Sequence, residues 1–407
     1  MGCVPAQERS LVRELASQVA MLANSDEYET RRRRWRDVNA MRRPDRAPVW
    51  CRPAGAWKEL VPPSSLQCTD PWLRSIEYAL RQHLYKHWVG DDHIVDPWWT
   101  VLAVWRCDSE HVWGLRTGEL VESTELGGFR YGTPIRTEAD FDKVTVPTFT
   151  YDHEATQDQA NRVADLLDGI MPVRITCEPP ITPSLGTILD KLRGMSDFML
   201  DLALNPRLIH RLMAKILEGT LRAMRVAEES GRLTPNHYGP MLCSEPLNGT
   251  PEPGQVKLHH LWGVANSQEF EEVSADMFDE FLLNYQIPIL QQFGAVQYGC
   301  CENLTRKIDR VTRIPNLRVF VASAWTDLDR VIEACSGRYA IMWRQLASDV
   351  VFPDDMASIE RHLDEGMAKL KGQSYQVVLR EIETLAGHPN RLREWARAAI
   401  ALAEKHA

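Results

Sequence analysis

The stretch LRVFVASAWTDLDRVIEACSGRYAIMW, residues 317–343, decides the fold. LRVFVAS (317–323) is a short apolar, β-branched run, 326–336 spaces its apolar residues like a helix, and YAIMW (339–343) is a second buried-strand run. Strand, helix and strand in that order make a βαβ unit, whose two strands lie parallel. The alternation continues on both sides. APVWC (47–51), WTVLAVW (99–105), MPVRIT (171–176), AVQYG (295–299) and YQVVLRE (375–381) read as further strands. Residues 155–168, 186–230, 274–292, 303–313, 355–371 and 389–406 carry helical patterns between or beyond them. Six or seven strands in one series, undivided by a linker or repeat, predict an α/β protein: a (β/α)8 TIM barrel over residues 47–407 with an N-terminal helical extension over 1–46. An insertion at 106–150, with GG, YG and Pro signals, reads as loops or a hairpin.

Composition narrows the function. The 407 residues are 44% hydrophobic and 25% charged, which excludes disordered, collagenous and disulfide-scaffold classes. With 47 basic against 56 acidic side chains, the net charge of −9 argues against nucleic acid or an anionic membrane as main partner. The basic run RRRRWRDVNAMRRPDR (31–46) is interleaved with acids, so it reads as a solvated helical face or a subunit contact such as a homodimer makes. No stretch approaches the ~18 apolar residues of a membrane span. The start, MGCVPAQERSLVRELASQVAML, reads as an amphipathic helix rather than a signal peptide. Gly2 and Cys3 resemble an acylation start, but Ala6 replaces the Ser or Thr that signal needs. The nine irregularly spaced cysteines then read as reduced thiols of a cytoplasmic protein. Thirteen tryptophans, against ten tyrosines and ten phenylalanines, suit half-wet pocket walls.

In such barrels the active site lies on the loops that follow the strands. This selects Arg52, Cys177, Glu178, Cys300, Cys301, Glu302, Ser323, Trp325 and Arg344. YGCCEN (298–303) is the sharpest feature, because thiolates are soft ligands suited to zinc and a catalytic zinc needs about three protein ligands. Cys301 is the first candidate ligand, Cys300 or Glu302 the second, and His237, His259 or His260 the remote one. Adjacent strand residues point oppositely, so the alternative has Cys300 inside as a small hydrophobe and Cys301 merely exposed. In HHLWGVANSQEF (259–270), Trp262 and Gln268 are candidates for substrate contact, and Ser267 or Ser274 for a helix N-cap. Asp96, beside Trp98 and Trp99, is either an acid with disfavoured ionisation or a turn-forming Asp-Pro. His83, His87 and His93 have a metal-like spacing but fall on a polar helix end. No P-loop, Rossmann fingerprint, nucleophile elbow or HExxH motif occurs.

Several segments together resemble a known superfamily. APVWCRPAGAW (47–57) is similar to the opening strand of uroporphyrinogen decarboxylase, P-V-W followed by R-Q-A-G-R, and DDHIVDPWW (91–99) lies where that family carries its catalytic aspartate. LRGMSDFMLDLALNPRLIHRLM (192–213), SQEFEEVSADMFDEFLLNYQIPILQQFG (267–294), YGCCENL (298–304) and IPNLRVFVASAWTD (314–327) resemble a branch related to corrinoid-dependent methyltransferases. The resemblance spans residues 10–405 and implies a (β/α)8 barrel. Arg52 matches the first arginine of the decarboxylase turn, but Ala56 stands in place of the second. Cys301 matches the cysteine of the methyltransferases' His-x-Cys zinc pair, with Gly299 in place of the histidine and no cysteine after the last two strands.

The resemblance therefore implies, first, a corrinoid- and zinc-dependent methyltransferase. It would move a methyl group between a small methylated substrate and a cobalamin carrier protein or thiol. Catalysis would fall to Cys301, Glu302, Asp96 and Arg52, the metal to Cys301, Cys300 and His237, and the pocket to Trp262, Gln268, Tyr298, Trp325, Arg344 and Trp98. The second expectation is a lyase that decarboxylates a small carboxylate with Arg52 and Asp96. The third is a non-catalytic barrel that binds a corrinoid or other ligand.

Overall fold

A computed structural model describes residues 5–117, 120–122 and 129–407. Gly2, Cys3 and the Gly127–Gly128 pair lie outside the described residues. Eight parallel strands carry the fold: β1 (Val49–Pro53), β2 (Trp99–Leu102), β3 (Val173–Thr176), β4 (Trp262–Ala265), β5 (Ala295–Tyr298), β6 (Leu317–Ala322), β7 (Ala340–Arg344) and β8 (Tyr375–Ile382). Six form one parallel sheet in the order β1-β8-β7-β6-β5-β4, and β2 and β3 pair separately, also parallel. The architecture is thus mixed α/β, built on a six-stranded parallel sheet wrapped by helices. A continuous eight-stranded ladder, the expected barrel, is not what the hydrogen bonds form.

Two seams explain the difference. Between β1 and β2, the Asp92 N–H donates to the Val49 carbonyl at 2.7 Å, and the Asp92 and Asp91 carboxylates accept from the Val49 and Cys51 N–H groups. Between β3 and β4, Thr234 bonds Cys177 while the Asn236 side chain bonds both the N–H and the carbonyl of Trp262. Side chains and irregular backbone thus satisfy strand-edge groups that a ladder would otherwise pair.

The first two helices, α1 (Ala6–Ala23) and α2 (Asp26–Asn39), pack onto the strands. Trp35 and Val38 of α2 share a buried cluster with Trp50, Trp262, Val319, Val321, Met342 and Val378. Asn39 holds the Met241 and Cys243 carbonyls and the Gln376 amide. Part of the arginine run is engaged within the chain, while Arg33, Arg42 and Arg43 stay exposed as a solvated face. Arg31 pairs with Glu27, Arg32 donates to the Val95 carbonyl, and Arg34 pairs with Asp45 and Asp92. In a second cluster α1 packs with α3 (Pro71–Val89), the helix His153–Leu167 and the β2–β3 pair.

Strand alternation then fixes which side chains meet inside the sheet. Val49, Cys51, Val296, Tyr298, Phe320, Ile341, Trp343, Val377 and Leu379 face the helices. Trp50, Ala295, Val319, Val321, Ala340, Met342 and Val378 face inward. Two residues beyond the inward Trp50, Met342 and Val378 come Arg52, Arg344 and Arg380, three arginines on one face at the strands' C-terminal ends.

Candidate functional site

The site begins where β5 stops. Gly299 adopts φ 109°, a left-handed conformation, and a Cβ there would lie 2.9 Å from Val321 Cβ and 3.0 Å from Leu304 Cδ1. Only glycine fits, which is the physical reason no histidine occupies this position. The turn presents Cys300 and Cys301 with their sulfurs 3.5 Å apart, so the pair converges instead of pointing oppositely. Glu302, the alternative to Cys300 as second ligand, belongs to no group of candidate metal ligands among the described residues. It is 1% exposed, and its carboxylate accepts from the Ser267 N–H at 2.7 Å, the Ser267 hydroxyl at 3.1 Å and the Cys300 N–H at 2.9 Å. Its work is to hold the cysteine turn against the end of β4.

The third group is Glu381, which sequence reasoning missed. Cys51 pairs with Leu379 but Pro53 pairs with Ile382, so β8 carries an extra residue, a β-bulge, beside Arg380 and Glu381. Glu381 takes φ 58°, unusual for a residue with a side chain, and its carboxylate reaches the thiols. One ligand atom each from Cys300, Cys301 and Glu381 lies within 4.8 Å of the others, an arrangement that can hold a metal ion. Among the described residues His237 is in no such group. YQVVLRE places Arg-Glu at a strand end, but the bulge that turns Glu381 toward the thiols leaves no mark in the local composition.

The electrostatics are set by two guanidinium groups. Arg344 Nη1 donates to the Cys300 carbonyl at 2.8 Å and lies 4.0 Å from the Cys301 sulfur. Arg344 and Arg380 each sit 3.4 Å from the Glu381 carboxylate. Arg344 Nε and Nη2 are buried with no hydrogen-bond partner among the described residues. The hydrogen bond from Cys301 lowers the Cys300 thiol to about 6; burial opposes this, and the Arg344 and Arg380 charges reinforce it. Cys301 is held well above the ordinary thiol range by that same bond, by burial and by the charge on Cys300. Cys300 is thus the more acidic thiol of the pair.

Glu381 also lines a cavity of about 640 Å³ with Trp50, Arg52, Trp57, His83, His93 and Arg380. His83 and His93 bond each other at 3.2 Å, and burial lowers both, His83 to about 4, so both are neutral. His87 is elsewhere, 3.4 Å from the Tyr28 hydroxyl. The three histidines thus form no ligand set.

The remaining expected residues lie apart from this group. Tyr298 faces the helices and donates to Gln286 at 2.8 Å. Trp262, at the start of β4, is 2% exposed and donates to Ser244. Gln268 opens a short 3-10 turn, and Trp325 is 54% exposed. None of these four lines the cavity at Glu381, where Trp50 and Trp57 supply the aromatic wall. Trp98 packs against Tyr238 and Arg174, and His237 lies tilted against Tyr238, 4.4 Å between ring centres, beside a second cavity. Asp96 is raised by burial, which the Arg32 and Arg174 charges oppose. Arg52 lines the first cavity and Asp96 does not, so the pair expected for decarboxylation is not assembled there. The N-cap expectation is met at Ser274, which accepts from the Met277 N–H.

No protein family matches the chain, and no curated protein does. Among solved structures, a methyltransferase from Methanosarcina mazei is similar, with a TM-score of 0.49 and 13% identity over 92% of this chain and 98% of that one. A likeness that slight carries no argument about this chain's activity.

Proposed function

We propose that this chain is a methyltransferase. It moves a methyl group between a small anionic methylated substrate and a cobalamin carrier protein or thiol, at the mouth of a (β/α)8 barrel with two seams. The observation that carries this is the convergence of Cys300, Cys301 and Glu381, the last of which also lines a cavity with Arg52 and Arg380. Two sulfurs and one carboxylate are the donor set of a thiolate-rich zinc site with a position left open, so the residues fit that metal. Zinc bound there would supply Lewis-acid activation of the heteroatom that gives up or accepts the methyl group.

The chain's own residues do the rest. With both thiols ionised the three ligands carry −3, and Arg344 and Arg380 return +2. A dication would leave the centre at +1, which favours an anionic substrate. The Arg52 guanidinium, which lines the cavity with Arg380 and Glu381, would bind that anion. Trp50 and Trp57 give the methyl-bearing end an apolar wall. The corrinoid carrier is proposed on the resemblance of YGCCENL and its neighbouring segments alone.

Elemental analysis tests the centre. About one zinc per chain is expected in the purified protein, lost in Cys301→Ser and in Glu381→Gln. Methyl transfer to or from methylcobalamin tests the reaction. Zinc retained by both variants, or no transfer by zinc-loaded protein with any methylated carboxylate or thiol, would overturn the reading.

A further inference from the structure

The second cavity, about 430 Å³, shares no lining residue with the first. Its wall includes the segment that leads into the N-terminal end of β4, whereas Cys300 follows the C-terminal end of β5, the parallel neighbour of β4.

Charge makes this cavity unusual. Arg174 and Arg232 line it, and among the described residues no Asp or Glu side chain does. Arg174 sits 4.8 Å from the Trp98 ring and 4.1 Å from the Tyr238 ring, in the corner where the two meet edge to face at 87°. Arg232 lies 5.6 Å from the Tyr151 ring. Neither guanidinium makes a hydrogen bond or ion pair among the described residues; aromatic faces position them and leave their N–H edges free. Asp96 is the acid whose field Arg174 meets, and burial favours its neutral form. His237 is 7% exposed and its Nδ1 has no hydrogen-bond partner. Desolvation, then Arg174 and Arg36, keep that ring neutral, able to donate one hydrogen bond. Leu247, Val256 and four prolines give the wall its apolar part, and Thr234, Thr250 and His260 are further polar members.

We propose that this cavity is a second binding site, for a small organic oxyanion with an apolar or aromatic body, recognised by Arg174, Arg232 and His237. Two cations without carboxylate partners form an incomplete electrostatic arrangement that a carboxylate or a phosphate monoester completes with charge-assisted hydrogen bonds. The prolines and Leu247 take the apolar body, as in most small-ligand pockets.

Calorimetric titration of the full chain with phenyl phosphate, benzoate, inorganic phosphate and benzyl alcohol tests this. Phenyl phosphate or benzoate is expected to bind at least about tenfold tighter than neutral benzyl alcohol, and whichever binds tighter identifies the oxyanion. Arg174→Met and, independently, Arg232→Met should each weaken binding about tenfold or more while the circular dichroism spectrum is kept. Arg52→Met, on the other cavity, should leave this binding unchanged. The proposal is overturned if benzyl alcohol binds equally well, if inorganic phosphate matches phenyl phosphate, or if Arg52→Met abolishes binding. It is equally overturned if both folded arginine variants bind like the parent, or if no probe binds at about 10 mM. Zinc content does not enter this test, so its failure and that of the methyl-transfer reading are separable.

Discussion

Gly299→Ala is the most direct test of how the cysteine turn is built. At φ 109° an alanine suffers backbone strain of about 1–3 kcal/mol. Its Cβ would meet Val321 Cβ at 2.9 Å, Leu304 Cδ1 at 3.0 Å and the Val321 carbonyl at 3.3 Å. The leucine tip can yield, but a β-branched side chain and a backbone oxygen within β6 cannot, which adds about 1–3 kcal/mol of overpacking. The sum, about 2–6 kcal/mol, is a large share of the ~5–15 kcal/mol that holds a typical protein folded. Equilibrium urea unfolding followed by far-ultraviolet circular dichroism reads this as a fall in the midpoint. Gly239 is the control, because a Cβ there meets nothing within 4 Å and its φ is not left-handed. Gly239→Ala should stay within about 0.5 kcal/mol of the parent. A loss below about 0.5 kcal/mol for Gly299→Ala would refute the account of the turn.

In chelator-treated protein, alkylation by iodoacetamide should switch on as pH rises through about 6, because the reactive species is the Cys300 thiolate. Cys301→Ala removes the hydrogen bond that lowers it most, so the midpoint should rise toward the ordinary 9.0; a midpoint still at or below 6 would contradict this. Glu381→Gly relieves a left-handed φ of 58°, so stability should hold or rise by up to about 1 kcal/mol while zinc is lost, measured by urea unfolding and metal analysis. Lys86, 3% exposed, is buried against Asp91 and the Cys51 carbonyl. Lys86→Met strands that carboxylate and should cost about 3–5 kcal/mol in the same unfolding assay, whereas Lys86→Met with Asp91→Asn should recover much of it.

The strands of the main sheet were legible because each is a continuous apolar run: 295–299, 317–323, 339–343 and 375–381 match β5 to β8 closely. Trp262–Ala265 was not, since WGVA is short, contains glycine and sits among polar residues. The helical pattern at 186–230 is three helices, broken at Gly194 with φ 87° and again before Pro206. For the site, strand-end position identified Cys300, Cys301, Arg52 and Arg344 but said nothing about direction. Parity sends Tyr298 outward, and Trp262 sits at the wrong end of its strand. Glu381 was hidden because a bulge resets the parity after Leu379, and no local composition announces a bulge made by Arg-Glu. Glu302 looked catalytic because it is a carboxylate at a strand end. That it faces its own loop's N–H groups depends on Ser267, 35 residues away.

The seams flanking the β2–β3 pair also shape how the molecule opens. That pair takes its packing from α1, α3 and the His153–Leu167 helix, in a cluster distinct from the one that holds the other six strands. Bonded to its neighbours largely through side chains, it can detach as a cooperative unit before the main sheet melts. Amide hydrogens of Trp99–Leu102 and Val173–Thr176 should therefore exchange together, and faster than those of β6 and β7. Arg174 lies on that unit, so an oxyanion held by it would also latch the unit shut, and exchange there would slow when the ligand binds.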